Sequence, residues 1–296
     1  MFSLEKKRWQ WLAILFLSMV WGSSFILMKR GLGAFDYMQV GAMRIFFSFV
    51  IMLPIAIKNL RLINKKNIGY LITLGLIGNF IPAVLFTLAQ SEITSSLAGI
   101  LNAIAPFFVL AIGVIFFGNR PSVWQYIGIS VGFFGAFWLM SDGNLGSLGS
   151  INRYVWLIVI ATAMYGVSSN LIKYRLQNLN GIQITSLSFF FVGPLAGIML
   201  GFTDLKTPML SPDFYSSLIA TLILALFGSV LSLFVYYNLI HRAGPVFASS
   251  ATYVVPFFAL LWGIWDGEAI YSIHIYCLLI ILTGVYLSSL RRKGQK

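Results

Sequence analysis

The sequence predicts an all-α polytopic membrane protein of ten transmembrane helices, arranged as two inverted five-helix repeats. Three observations lead there. The first is composition: 59% of the 296 residues are hydrophobic and only 9% are charged, where a soluble domain carries roughly 25% charged residues. A soluble body of this size could not cover itself with so few charges, so lipid is the solvent for most of the surface. The second is spacing. Apolar stretches close to the ~20 residues that cross a bilayer core recur along the whole chain. The third is an internal repeat. SLAGILNAIAP at Ser96–Pro106 and FASSATYVVP at Phe247–Pro256 are each followed at once by a Phe-Phe pair.

The spans read, in order, as about 10–29, 37–57, 68–88, 94–117, 123–140, 154–172, 182–202, 215–239, 246–265 and 271–290. The first follows Lys6, Lys7 and Arg8, as a secretory leader would. It is long enough to span and has no evident small-residue cleavage site, so it reads as a retained helix. Connections are short, as packed antiparallel neighbours require. The longest, SDGNLGSLGSIN at Ser141–Asn152, is rich in Gly and Ser. It divides the chain into a first repeat at 1–143, a linker at 144–150 and a second repeat at 151–296.

Charge sets the orientation. With ten spans and the N-terminus in the cytoplasm, fifteen of the 20 Lys and Arg residues fall on the cytoplasmic side. Lys29, Arg30, Arg153 and Lys206 fall outside, and Arg44 lies within a span. The acids do the reverse: Glu5 alone is inside. This bias places both termini in the cytoplasm. The net charge of +12 then faces anionic lipid headgroups, and nucleic acid is not expected as a partner.

Five spans per half is an odd number, so the second half enters the membrane from the opposite side. Matching stretches agree. Trp21-Gly-Ser-Ser24 with Lys29, and Tyr165-Gly-Val-Ser168 with Lys173, lie 144 positions apart. Gly118-Asn119 matches Gly267-Glu268, and Gly135 matches Gly284.

Trp21–Phe25, Arg44 early in the second span, the run ending at Pro106 and its partner ending at Pro256 together resemble the drug/metabolite transporter superfamily. The likeness is to its ten-helix EamA-type members and covers nearly the whole chain. Asn119 departs from the pattern, because Glu often follows Gly there; the second half keeps Glu268. The resemblance implies a central cavity lined by helices one to four and six to nine, with the fifth and tenth outside, and alternating access. It also implies a small organic metabolite as substrate, an amino acid or related compound, moved outward across the inner membrane.

The candidate cavity residues are Trp21, Ser24, Arg44, Asn79, Asn102, Tyr165, Ser169, Asn170, Tyr253 and Trp262. A charge at a helix centre costs at least about 2.5–3.5 kcal/mol, so Arg44 needs a reason. It either ties down headgroups or backbone carbonyls, or offers a fork to a substrate carboxylate or phosphate. Buried amides must face protein or water, which brings in Asn79, Asn102 and Asn170. Ser24 and Ser169 belong to small-residue runs that either pack helices closely or loosen them towards a ligand. Trp21, Tyr165, Tyr253 and Trp262 read as aromatic walls. Pro106 and Pro256 favour kinks that serve as hinges or shape the cavity. Gly128/Gly132 and Gly197/Gly201 are GxxxG pairs, suited to helix contact or to a homodimer.

No cofactor or metal is expected: His241 and His274 lie far apart, and Cys277 is the single cysteine. HExxH and the phosphate-cradling P-loop are absent, which argues against a membrane enzyme and a nucleotide-driven pump. A channel is the remaining alternative. The repeat and kinks favour a carrier.

Overall fold

The computed structural model describes residues 4–119, 122–140 and 152–289. The linker at 144–150, Arg120, Asp142 and the basic residues Arg291, Arg292, Lys293 and Lys296 lie outside the described residues. Among the described residues, eight helices are long and apolar enough to cross a bilayer. They are α1 (Lys7–Gly31), α2 (Tyr37–Leu62), α3 (Ile68–Gln90), α4 (Ser95–Phe117), α6 (Arg153–Arg175), α7 (Gly181–Gly201), α8 (Phe214–Ala243) and α9 (Pro245–Trp265). Two further apolar helices, α5 (Val123–Met140) and α10 (Ser272–Ser289), have shorter apolar runs among the described residues.

Local chemistry explains where the rods begin. Asp36 opens α2 by accepting from the Gln39 N–H at 2.8 Å, while the Gln39 side chain accepts from the Asp36 N–H. Asn180 and Gln183 repeat this reciprocal cap at the start of α7. The Thr94 hydroxyl caps α4 by accepting from the Leu97 N–H.

Four of the helices are irregular inside. α3 widens to a π segment at Leu74–Phe80, and α8 does so at Leu224–Leu231. α4 is interrupted at Ala103–Ile104, and α9 passes through a 3-10 turn at Ser250–Tyr253. Pro106 and Pro256 sit in the first turn of the helix that resumes after each interruption. A missing N–H costs little there, because first-turn donors have no intrahelical acceptor anyway. Each break lies in the turn before its proline, where the ring displaces the carbonyl four residues back, that of Asn102 for Pro106 and of Thr252 for Pro256.

The rods pack in cross-related sets. α2 lies against α7, and α5 against α10; α1 packs on α8 and α9, while α6 packs on α3 and α4. Glycines permit the close crossings. A Cβ at Gly22 would come within 2.4 Å of Phe258 Cβ and 2.9 Å of the Val255 carbonyl oxygen. One at Gly166 would meet the Phe108 backbone at 2.7 Å. Gly284 presses on Gly128 and Gly132, and Gly197 on the Phe46 ring, so both GxxxG pairs contribute to contacts within the chain.

Gly22→Val is therefore expected to destabilise the fold by about 1–3 kcal/mol, because backbone stands in the way. Gly69, whose Cβ would meet nothing within 4 Å, tolerates alanine. Thermal unfolding of both variants in detergent checks this; equal midpoints would contradict the close crossing.

Candidate functional site

A cavity of about 90 Å³ lies at the middle of the bundle, with room for several waters or a small organic molecule. Its lining comes from α1, α2, α3, α4, α6, α7, α8 and α9; α5 and α10 supply none of the lining among the described residues. Seven of the ten residues named from sequence line it: Trp21, Ser24, Arg44, Asn79, Asn102, Tyr165 and Ser169.

The other three lie elsewhere. Asn170 is fully buried, and its amide donates to the carbonyls of Val109 at 2.8 Å and Gly166 at 2.9 Å. That bond fastens α6 to α4. Tyr253 borders a smaller apolar pocket beside Pro106, Gly128 and Gly284. Trp262 donates its indole N–H to the Ser23 hydroxyl at 2.8 Å, tying α9 to α1. Each was placed near the cavity by its neighbours in sequence, and helix rotation turns it away.

Arg44 is held by the loosened turn of α8. Its Nε donates to Ser229 Oγ at 2.7 Å and its Nη2 to the Gly228 carbonyl at 3.3 Å. A π segment exposes backbone that a regular helix would use internally, and such segments cluster at functional sites. None of the ion pairs among the described residues involves Arg44. Across the cavity, Asn79 in the π segment of α3 donates to Ser188 Oγ at 3.2 Å and accepts from the Tyr237 hydroxyl at 3.4 Å. Ser169 and the Tyr236 hydroxyl share a bond of 2.9 Å. Trp21 meets Tyr236 edge-on at 5.1 Å, and Tyr165 stacks on Phe86 at 6.0 Å. Ser229, Tyr236 and Tyr237 were not read from the sequence. The available signal was a serine after glycine and a paired tyrosine within one apolar span, too common to single out.

One end of the bundle is closed by charge. Lys29 at the end of α1 pairs with Asp266 at 2.7 Å and Glu268 at 2.9 Å, and Arg30 pairs with Asp266. Both acids lie between α9 and α10. Glu268 also caps the start of α4: it accepts from the Ser95 N–H and hydroxyl, at 3.0 and 2.8 Å, and from those of Ser96, at 3.0 and 2.7 Å. A carboxylate suits a helix N-terminus. Burial alone would push the Glu268 carboxyl up. The bonds from Ser96, Lys29 and Ser95 outweigh burial and bring its pKa down to about 2. At the other end of the bundle, the corresponding Asn119 is neutral and accepts from the Tyr174 hydroxyl at 2.7 Å.

A helical bundle with a central cavity of aromatic, aliphatic and small polar side chains around one cation is the architecture of a multi-pass membrane transporter for a small molecule. The chain belongs to the EamA-like transporter family, whose model matches residues 8–141 and again 152–290. It is 26% identical to the uncharacterized inner membrane transporter YedA of Escherichia coli K12, over 94% of this chain and 90% of that one. It is 22% identical to Protein PagO of Salmonella typhimurium, over 95% and 93%. A probable terminal-alkyne amino-acid exporter of Streptantibioticus cattleyicolor is 22% identical over 99% and 96%. A solved protein crystal structure shares the fold, with a TM-score of 0.66 and 13% identity over 94% of this chain and 95% of its own.

Glu268 has a pKa of about 2 in the fold against 4.5 free. A lowered carboxylate pKa gives stability that is full above the free value and is lost as pH falls from there towards the folded value. Thermal midpoints should therefore drop between pH 4.5 and about 2 more steeply in the parent protein than in Glu268→Gln. Parallel profiles would contradict the bonding described.

Proposed function

We propose that this protein is a secondary carrier that moves a small organic metabolite out across the inner membrane by alternating access. Both termini are cytoplasmic in this reading, and 1–143 and 151–296 form inverted halves. The observation that carries it is the central cavity, lined by four helices from each half, with a partly buried charged cluster at one end and only an exposed ion pair, Glu5–Arg242, at the other among the described residues.

Pairwise correspondence supports the inversion. Asn79 and Ser229 are each the sixth residue of their π segment. A Cβ on the preceding Gly78 would meet Ser168, and one on Gly228 would meet Ser24. Gly22 packs on Phe258, two residues past Pro256 of α9, as Gly166 packs on Phe108, two residues past Pro106 of α4. Such cross-pairing is what a twofold axis in the membrane plane produces. The two successive matches to one family model agree.

In the orientation set by the basic residues, the Lys29–Arg30–Asp266–Glu268 cluster faces outward. The outer end is then closed by a partly buried set of ion pairs and a capped helix, and the inner end by weaker contacts, the Tyr174–Asn119 bond and the exposed Glu5–Arg242 pair. Alternation consists of breaking one set while making the other. Outward movement and an amino-acid-like substrate are supported by the exporter among the relatives. No Asp or Glu lines the cavity among the described residues. The carrier therefore runs down the substrate's own gradient or by exchange.

Reconstituted vesicles test this with a panel of radiolabelled amino acids and related acids. Saturable uptake is expected, with transient overshoot when the vesicles are preloaded with unlabelled compound. Uptake linear in concentration, without overshoot, would indicate a pore. Accumulation that collapses with an uncoupler would overturn the uncoupled mode.

A further inference from the structure

We infer that the cavity selects molecules carrying a single carboxylate, seated on Arg44, and needs no ammonium on the substrate. This rests on the cavity being the transport chamber, and it specifies the chemistry of what enters.

The inference comes from where the two halves stop matching. Arg44 and Ser188 each lie eight residues after the cap that opens their helix, Asp36 for α2 and Asn180 for α7. Their partners Ser229 and Asn79 are equivalent places in the π segments. The cavity thus holds two related contacts, Arg44 to Ser229 and Asn79 to Ser188. One is cationic and the other neutral. The neutral contact is complete, because Asn79 is bonded on both sides, to Ser188 and Tyr237. The cationic one is not. A guanidinium has five N–H donors, and Arg44 uses Nε on Ser229 and Nη2 on a carbonyl. Among the described residues Nη1 has no protein acceptor, and Arg44 borders the cavity.

Two other polar groups face the same space without protein partners. The Asn102 amide is 6% exposed, lines the cavity and makes no hydrogen bond among the described residues. Among the described residues the Tyr165 hydroxyl likewise has none, and Tyr165 lines the same cavity as Arg44. Buried polar groups are otherwise bonded as a rule. Lining one cavity with the incompletely bonded guanidinium, these two describe an anion's seat: the guanidinium for charge, and Tyr165 and Asn102 as further donors.

Charge count sets the class. The lining carries one cation and no carboxylate among the described residues. A monocarboxylate neutralises it. A dianion would leave net negative charge within the membrane, which is costly. An ammonium finds aromatic faces and neutral hydroxyl and amide oxygens but no carboxylate among the described residues, so the site does not demand one.

Thermal shift on purified protein with size-matched pairs tests this: acetate, 3-methylbutanoate and benzoate against their amides, with inorganic phosphate as a further probe. The best acid is expected to bind about tenfold or more tighter than its amide, with phosphate weaker than that acid. In Arg44→Gln the ratio should fall to about one. Tyr165→Phe, which keeps the ring, should weaken the acid and spare the amide. Equal binding of acid and amide, tighter binding of phosphate, no binding by any of the three acids, or an acid preference that survives Arg44→Gln each overturns the inference. The acid–amide comparison in the parent protein decides even if Arg44→Gln does not fold. Overshoot in vesicles without acid preference would refute this inference alone and leave the carrier reading intact.

Discussion

Arg44 is a full positive charge held within a membrane helix, bonded to a serine and a carbonyl and to no acid. Much of the interior is organised around making that tolerable. In hydrocarbon a backbone group without a partner is costly, so helices there are normally regular. Here α8 loosens into a π segment where Arg44 arrives, and the freed Gly228 carbonyl becomes its acceptor. The irregular turn and the buried charge satisfy each other. The same solution recurs in neutral form where α3 loosens opposite Ser188.

Around that centre, glycine sets how closely helices approach and aromatic rings fill what remains. Gly22 and Gly166 bring α1 onto α9 and α6 onto α4 with no space for a side chain. Trp21, Tyr165 and Tyr236 then wall the gap between them. Serines bond back to their own helix, as Ser24 does to Val20 at 2.8 Å, so they add little polarity to the walls. The cavity is therefore largely apolar, with its polarity concentrated at a few points. The charged cluster at the end of the bundle works differently. It draws strength from three helix ends meeting at one loop, where Glu268 is 2% exposed at its side chain.

Much of this was legible in the sequence because lipid imposes simple rules. Span length, basic bias and the repeated proline runs give helices close to those observed, and the amide and arginine rule, the small-residue runs and the aromatic walls together led to seven of the cavity residues. What was not legible depends on rotation and on partners. Asn170 obeys the same rule as Asn102 yet bonds to Val109, because one residue along a helix turns a side chain by about 100°. Trp262 looks like a cavity wall and instead holds Ser23. The π segments leave no sharp signature, since glycine is frequent in membrane helices for other reasons. Glu268 was noticed only for its match to Asn119, because a carboxylate's role as a cap for α4 requires knowing that Ser95 lies beside it.

The measurement that bears most directly on the account is sided access to one cavity position. Cys277 is the single cysteine, so a Cys277→Ala background carrying Ser24→Cys reports on the chamber alone. In cells, a membrane-impermeant thiol reagent added outside is expected to leave this cysteine unmodified, while the same reagent in inverted vesicles modifies it. Adding Asp266→Asn with Glu268→Gln should open the outer route. Equal modification from both sides in the parent background, or an outer route that stays shut once the charges are removed, would contradict a chamber closed by that cluster.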